Sequence, residues 1–186
     1  MHVMFVCTGN QCRSVIGEYY MRGAIGYWLG QDAGISVSSA GTMVYPPHPA
    51  DPKVVALLRS NGIDASGHRS TVLTADLMNA ADLVLCFEQK HLQKMAALNP
   101  SAARKAFLFS QFAYSCAYMS ANALISGDTP VSRLASAIDN IPLALPFLPQ
   151  IPAETEDPHG KSDEVFHSVY AHITGGINTI VKALKQ

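Results

Sequence analysis

Cys7 and Arg13 stand six residues apart in the run Cys7-Thr8-Gly9-Asn10-Gln11-Cys12-Arg13-Ser14, a small and polar stretch that follows the apolar segment His2 to Val6. A thiol and a guanidinium at this spacing can bind an anion and attack it. The arginine offers a planar fork that matches two phosphate oxygens. Gly9 lets the backbone approach a ligand closely, and successive amides of such a loop can form an anion-binding nest. A thiol beside an arginine and a helix N-terminus ionises more readily than a free cysteine, whose pKa is about 8.5, which makes Cys7 a candidate thiolate nucleophile. The spacing alone also arises by chance, and a cysteine at a strand end is commonly just packing. The flanking elements weigh in favour of a site.

His2 to Cys7 is too short and too β-rich for a helix and suits a strand buried on both faces. From Val15 onward, Val15, Ile16, Tyr19, Tyr20, Ile25 and Trp28 recur at helical spacing, and Ile35 to Ala40 is a second strand. The first forty residues therefore fit a β-α-β unit with a right-handed crossover and parallel strands. In such sheets ligands bind beyond the carboxyl ends of the strands, where the following helix points its free N–H groups and positive dipole end. Cys7 to Ser14 occupies that position. A packing cysteine would not also require Gly9, Asn10, Arg13 and Ser14.

The alternation continues. Asp51-Pro52 can cap and start a helix that ends near Ser60, with Asn61-Gly62 as its stop. Asp82 to Phe87 is a third strand, Glu88 to Leu98 a helix ended by Pro100, and Lys105 to Ser110 a fourth strand. Helical stretches are expected near 112–125 and 131–139. Pro142, Pro146, Pro149, Pro152 and Pro158 then argue for an extended, surface-hugging segment, so that about 113–153 forms an irregular insertion in one domain spanning 1–186. The last 26 residues make the clearest helix. Ser162 can cap it, Asp163 and Glu164 favour its positive end, and Val165, Val169, Ile173, Ile177, Ile180 and Leu184 form its apolar stripe, with Gly175-Gly176 weakening the middle.

Composition bounds the function classes. With 186 residues, 48% hydrophobic and 15% charged, the chain can bury a sizeable core and is not disordered. Thirteen basic and fourteen acidic side chains give a formal net charge of −1, with no Lys and Arg cluster to follow a nucleic-acid backbone. An anion must therefore be held by local donors rather than by the overall field. Ala106 to Gly127 is uncharged, but Ser110, Gln111, Ser115, Ser120, Asn122 and Ser126 interrupt it, and it is better explained as strand then helix than as a membrane span. Met1 to Ser14 lacks the pattern of a secretory signal, and a cytoplasmic location is expected. The four cysteines, at 7, 12, 86 and 116, show no C-x-x-C metal pairing; Cys86 and Cys116 are assigned to the core.

The run CTGNQCRS after VMFV, followed by Glu18, resembles the phosphate loop of the low-molecular-weight protein tyrosine phosphatases. Ser39-Ala40-Gly41-Thr42, Asn61-Gly62-Ile63-Asp64, Gly67-His68-Arg69-Ser70 and Ala81 to Leu85 are similar to further family segments, and Asp157-Pro158 to the family's acid motif. The resemblance spans about 3–110 and 155–186. It implies a three-layer α/β fold with a four-stranded parallel sheet in the order 2-1-3-4, helices on both faces, and hydrolysis of phosphate monoesters without metal or other cofactor. Cys7 would attack phosphorus, Arg13 and the loop Thr8, Gly9, Asn10, Gln11, Cys12 and Ser14 would hold the oxygens, and Asp157 would protonate the leaving oxygen. Asp157 would then serve as base for hydrolysis of the phosphocysteine. Ser14 would hydrogen-bond the thiolate, and Asn10, with Ser39 and His68, would support the loop. Cys12 would trap oxidised Cys7 as a reversible disulfide, or be a small loop residue only. Without the loop, Asp157-Pro158 would mark a turn or helix entry, His68 a surface or satisfied core histidine, and Ser39 an ordinary strand-end hydroxyl.

Three departures bear on the substrate, which the resemblance makes a phosphorylated protein or a small aryl phosphate. Gln11 stands where tyrosine-directed members carry an apolar residue and arginine-phosphate-directed members a threonine. Val15 replaces a proline, which a helix start tolerates. His159 takes the place of an aromatic ring that commonly lines the pocket. Phosphotyrosine is the leading reading, with phosphoarginine beside it. A thiol-dependent arsenate reductase would need resolving cysteines near the third strand, and Cys86 has no such neighbour in sequence. A non-catalytic phospho-ligand module would lack the acid, against which Asp157 argues.

Overall fold

The computed structural model describes residues 1–148 and 153–185. Strands β1 (His2–Cys7), β2 (Ser36–Gly41), β3 (Leu83–Cys86) and β4 (Ala106–Leu108) form one parallel sheet in the order β2-β1-β3-β4. This is the order that the resemblance implies. Helix α1 (Arg13–Trp28) links β1 to β2, α2 (Pro52–Arg59) and α3 (Ala75–Ala80) precede β3, and α4 (Gln89–Leu98) precedes β4. Helices α5 (Phe109–Ala121), α6 (Pro130–Ala144) and α7 (Asp163–Ala183) complete the described chain.

Strand alternation sends successive side chains of each central strand into different cores. Val3, Phe5 and Cys7 of β1, with Leu83 and Leu85 of β3, pack against α1, α2, α5, α6 and α7. Met4 and Val6, with Val84 and Cys86, pack against Met78 of α3 and Met95 of α4. Cys86 and Cys116 lie in these cores with no exposed surface, as expected. Among the described residues no helix is long and apolar enough to cross a membrane.

Several boundaries move. The fourth strand is Ala106–Leu108 rather than 105–110, because Phe109 already turns into α5, which the sequence places from 112. The short α3 is absent from the sequence reading, although Thr74 caps it through a bond from Leu77 N. The prolines do not end α6 where expected. It starts on a Thr129/Ser132 capping box with Pro130 in its first turn, then runs through Pro142 to Ala144 and into a 3₁₀ turn, Leu145–Phe147, that contains Pro146. Pro142 lies in the last turn, so it forfeits a single interior bond close to where the α-helix gives way. The extended part of the segment shrinks accordingly; Pro149 and Pro152 lie outside the described residues. Ser162 occupies the N-cap of α7, but its hydroxyl makes no capping bond to a helix amide and instead engages Glu164. The diglycine does not break α7. A side chain at Gly176 would meet the Phe109 ring at 2.6 Å, so the missing Cβ is what admits α5 against α7.

Candidate active site

The loop between β1 and α1 is held open from outside, by donors that take its carbonyls one after another. The carbonyl of Cys7 accepts from Thr42 N at 3.0 Å, Thr8 from Met43 N at 3.0 Å, Asn10 from His68 Nε2 at 2.9 Å and Gln11 from Asp51 N at 3.0 Å. Gly9 O accepts from the Tyr45 hydroxyl. With its carbonyls drawn outward, a tight loop turns its N–H groups inward, which is the condition for an anion nest. The first turn of α1, whose opening bond runs from Ile16 N to Cys12 O, adds amides with no intrahelical acceptor. Gly41 lets β2 come this close, since a Cβ there would sit 2.9 Å from Thr8 O.

Asn10 is the hub of the loop. It takes a left-handed φ of 51°, and its side chain donates to Ser14 Oγ at 2.9 Å and Ser39 Oγ at 2.7 Å while accepting from Thr71 N at 2.8 Å. Proton counting then orients the sulfur contact. The Ser39 hydroxyl donates to the Glu18 carboxylate, and both Asn10 amide protons are already used. The proton of Ser14 is thus free to point at Cys7 Sγ, 3.0 Å away, while Asn10 N donates to the same sulfur at 3.3 Å. Both contacts aim donors at the sulfur. Glu18 is in turn paired with Arg22 at 2.5 Å.

Arg13 is 1% exposed and clamped. Nη1 donates to Glu88 Oε1 at 2.6 Å and to Thr155 O at 2.9 Å, and Nη2 meets Asp157 Oδ2 at 2.7 Å. Its buried Nε has no hydrogen-bond partner among the described residues and is a donor left for a ligand. Asp157 reaches the site because its segment is docked on the end of β3. Thr155 N donates to Phe87 O at 2.8 Å, and the Glu154 carboxylate accepts from Gln89 N at 2.7 Å at the start of α4. Although burial works to raise the proton affinity of Glu88, bonds from Lys90 and Arg13 hold its carboxyl below the usual range. Glu88 therefore stands behind the guanidinium as a fixed counter-charge.

The structure brings Cys7, Thr8, Gly9, Gln11, Cys12, Arg13 and Asp157 to one cavity of ≈ 450 Å³, with Asn10, Ser14, Ser39 and His68 beneath it. His159 lies at the rim with Met43, Tyr45 and His48, the last two in ring contact at 4.9 Å. The sequence reading missed Glu88, Tyr45, His48 and His91. Glu88 follows β3 at its carboxyl end, so the rule that singled out Cys7 would also have found it.

His91 is fully buried beside the loop, with Nε2 2.9 Å from Thr8 Oγ1 and 3.6 Å from Glu88 Oε1. Burial, reinforced by Arg13, pushes its imidazole down from 6.5 to about 4. The unfolded chain takes up that proton first, so stability present above pH 6.5 is lost as the pH falls toward about 4. The loss of unfolding free energy between neutral and mildly acid pH should be smaller in His91→Gln than in the parent by on the order of 1–2 kcal/mol. Urea titrations across that range measure it; parallel curves for the two proteins would place the acid sensitivity elsewhere.

Comparison with known proteins gives a consistent result. Residues 2–121 match the family model described as low molecular weight phosphotyrosine protein phosphatase. The low molecular weight protein-tyrosine-phosphatase Etp of Escherichia coli K12 is 34% identical over 110 residues, 59% of this chain and 70% of that protein. The protein-arginine-phosphatase of Bacillus subtilis is 38% identical over 98 residues, 52% of this chain and 61% of that one. The solved low molecular weight protein tyrosine phosphatase of T. tengcongensis superposes with a TM-score of 0.70 at 26% identity, covering 98% of each chain.

Proposed function

Because the chain belongs to the low molecular weight phosphotyrosine protein phosphatase family, we propose that it hydrolyses protein phosphotyrosine through a phosphocysteine on Cys7. The observation that carries this reading is the convergence on one cavity of a doubly hydrogen-bonded thiol, a buried arginine with a free Nε, and a carboxyl. The Cys7 thiolate attacks phosphorus as the P–O bond to the tyrosine breaks, and Asp157 gives its proton to the departing oxygen. Water then attacks the phosphorus of the phosphocysteine, Asp157 takes a proton from it, and the P–S bond breaks to release the Cys7 thiolate. Arg13 and the loop amides hold the three oxygens that carry charge through both steps.

The ion pair of Arg13 with Asp157 fits this sequence of events. An incoming phosphate takes Nη2 and Nε of the guanidinium and releases the carboxyl, while Glu88 and Thr155 keep Nη1 in place. Tyr45 and His48 supply ring surface at the rim, on which a phenyl group can stack, so His159 is not the sole candidate wall for an aromatic substrate. The similarity to a protein-arginine-phosphatase keeps phosphoarginine as the second reading. The proposed setting is the cytoplasm, where a nucleophilic thiol is kept reduced.

Purified protein is expected to hydrolyse para-nitrophenyl phosphate in the presence of a chelator, and phosphotyrosine peptides faster than phosphoarginine or phosphoserine peptides, with arsenate reduction as control. Faster turnover of phosphoarginine would reassign the substrate; activity lost on chelation would remove the metal-free mechanism.

A further inference from the structure

Cys12, Asp51 and His159 present a sulfur, a carboxylate oxygen and an imidazole nitrogen within 4.8 Å of one another, and Cys12 and His159 line the cavity. The proposed phosphatase steps use neither the Asp51 carboxylate nor the His159 imidazole as acid, base or nucleophile. We propose that these three residues form a binding site for a zinc-class divalent cation that bridges the phosphate loop, α2 and the segment carrying Asp157.

The donor set suits such an ion. Thiolate, imidazole and carboxylate are the ligands that borderline cations take, with bonds of roughly 2.0–2.3 Å and tetrahedral geometry. Those bonds place ligand atoms roughly 3.3–3.8 Å apart, so the three groups need to draw in by about 1 Å, less than the swing of one exposed side chain. His159 is the ligand free to make that movement, being two-thirds exposed, whereas Cys12 is 4% exposed and fixed at the entry to α1. Asp51 is set in advance. As N-cap of α2 its Oδ1 accepts from Lys53 N at 2.9 Å, which leaves Oδ2 turned toward His159 Nδ1 at 3.9 Å.

The three segments are also tied together without an ion. Asp51 N donates to Gln11 O, one residue from Cys12. Lys53 Nζ meets Lys161 O at 3.1 Å and Asp163 at 2.6 Å, joining α2 to the chain beyond His159. Little backbone order remains to be imposed on binding, which favours affinity. Binding requires the Cys12 proton to leave for solvent. Burial first, then the negative charges of Asp51, Cys7 and Asp157, hold that proton on. The same negative surroundings attract a divalent cation, whose charge reverses the balance once it is bound.

Cys12 and His159 line the same cavity as Cys7. The consequence for activity rests on the proposed phosphatase reading: the ion locks His159, two residues from Asp157, blocks the path to Cys7 and inhibits. Binding itself does not depend on that reading and is tested apart from it.

Co²⁺ and Zn²⁺ are titrated into the full-length Cys7→Ser protein, which keeps the three ligands but lacks the nucleophile. One equivalent is expected to bind, with a thiolate-to-cobalt charge-transfer absorption that Cys7→Ser/Cys12→Ser lacks. In the Cys7→Ser background, His159→Phe and Asp51→Asn, which keeps a capping side chain, should each weaken binding at least tenfold. In proteins with Cys7 intact, the same two substitutions should raise the Zn²⁺ concentration for half-inhibition by a similar factor, and chelator should restore the rate. No stoichiometric binding to Cys7→Ser, or undiminished binding in His159→Phe, overturns the site. Binding without inhibition keeps the site and overturns its effect on turnover.

Discussion

Cys7→Ser protein is expected to lose phosphatase activity by roughly 10⁴-fold or more while still binding inorganic phosphate. The sulfur sits where the Ser14 hydroxyl and the Asn10 amide both converge, at 3.0 and 3.3 Å. These donors cannot make a serine alkoxide available at neutral pH, because among the described residues no general base hydrogen-bonds to the position. The rest of the cradle does not depend on the sulfur. The carbonyls of Thr8, Asn10 and Gln11 remain engaged by Met43, His68 and Asp51, and Arg13 keeps Glu88 and Thr155. Rates on para-nitrophenyl phosphate and calorimetric titration with phosphate measure the two properties separately. Activity near the parent level would move the nucleophile elsewhere; loss of phosphate binding along with activity would mean that the sulfur shapes the loop.

How much of this was legible in the sequence follows from how local each signal is. Strand β1, the polar loop and α1 are contiguous, and their physics is local: a buried apolar run, then small residues, then helical spacing. Cys7, Gly9, Arg13 and Ser14 could be located from that alone. Asp157 could not. It lies 144 positions from Arg13, and only the resemblance singled it out; the contacts that deliver it, Thr155 N to Phe87 O and Glu154 to Gln89 N, link segments no periodicity connects. Tyr45 was hidden for the same reason, since its hydroxyl meets Gly9 O only after Gly41 has brought β2 alongside β1. Local rules misled at α6, where proline was weighed as a breaker without its position in the last turn, and at Ser162, where a good capping residue engages Glu164 instead.

Asp157→Asn provides the sharper test of the mechanism, because its two expected effects run in opposite directions. Turnover of a substrate with a poor leaving group should fall by roughly 10² to 10⁴-fold, the usual worth of a general acid, and a nitrophenolate, which departs without needing a proton, should be affected much less. Affinity should not fall with it. Asp157 occupies Nη2 of Arg13 at 2.7 Å, so the carboxylate competes with phosphate for the guanidinium. A neutral amide of the same shape competes less and removes a like charge from beside the dianion, while Glu88 and Thr155 still hold Nη1. Lower kcat on phosphotyrosine peptide with unchanged or lower KM, and tighter inhibition by phosphate, is therefore the expected signature. A merely structural aspartate would give the reverse, because losing an anchor of Arg13 would slacken the cradle and raise KM for every substrate alike.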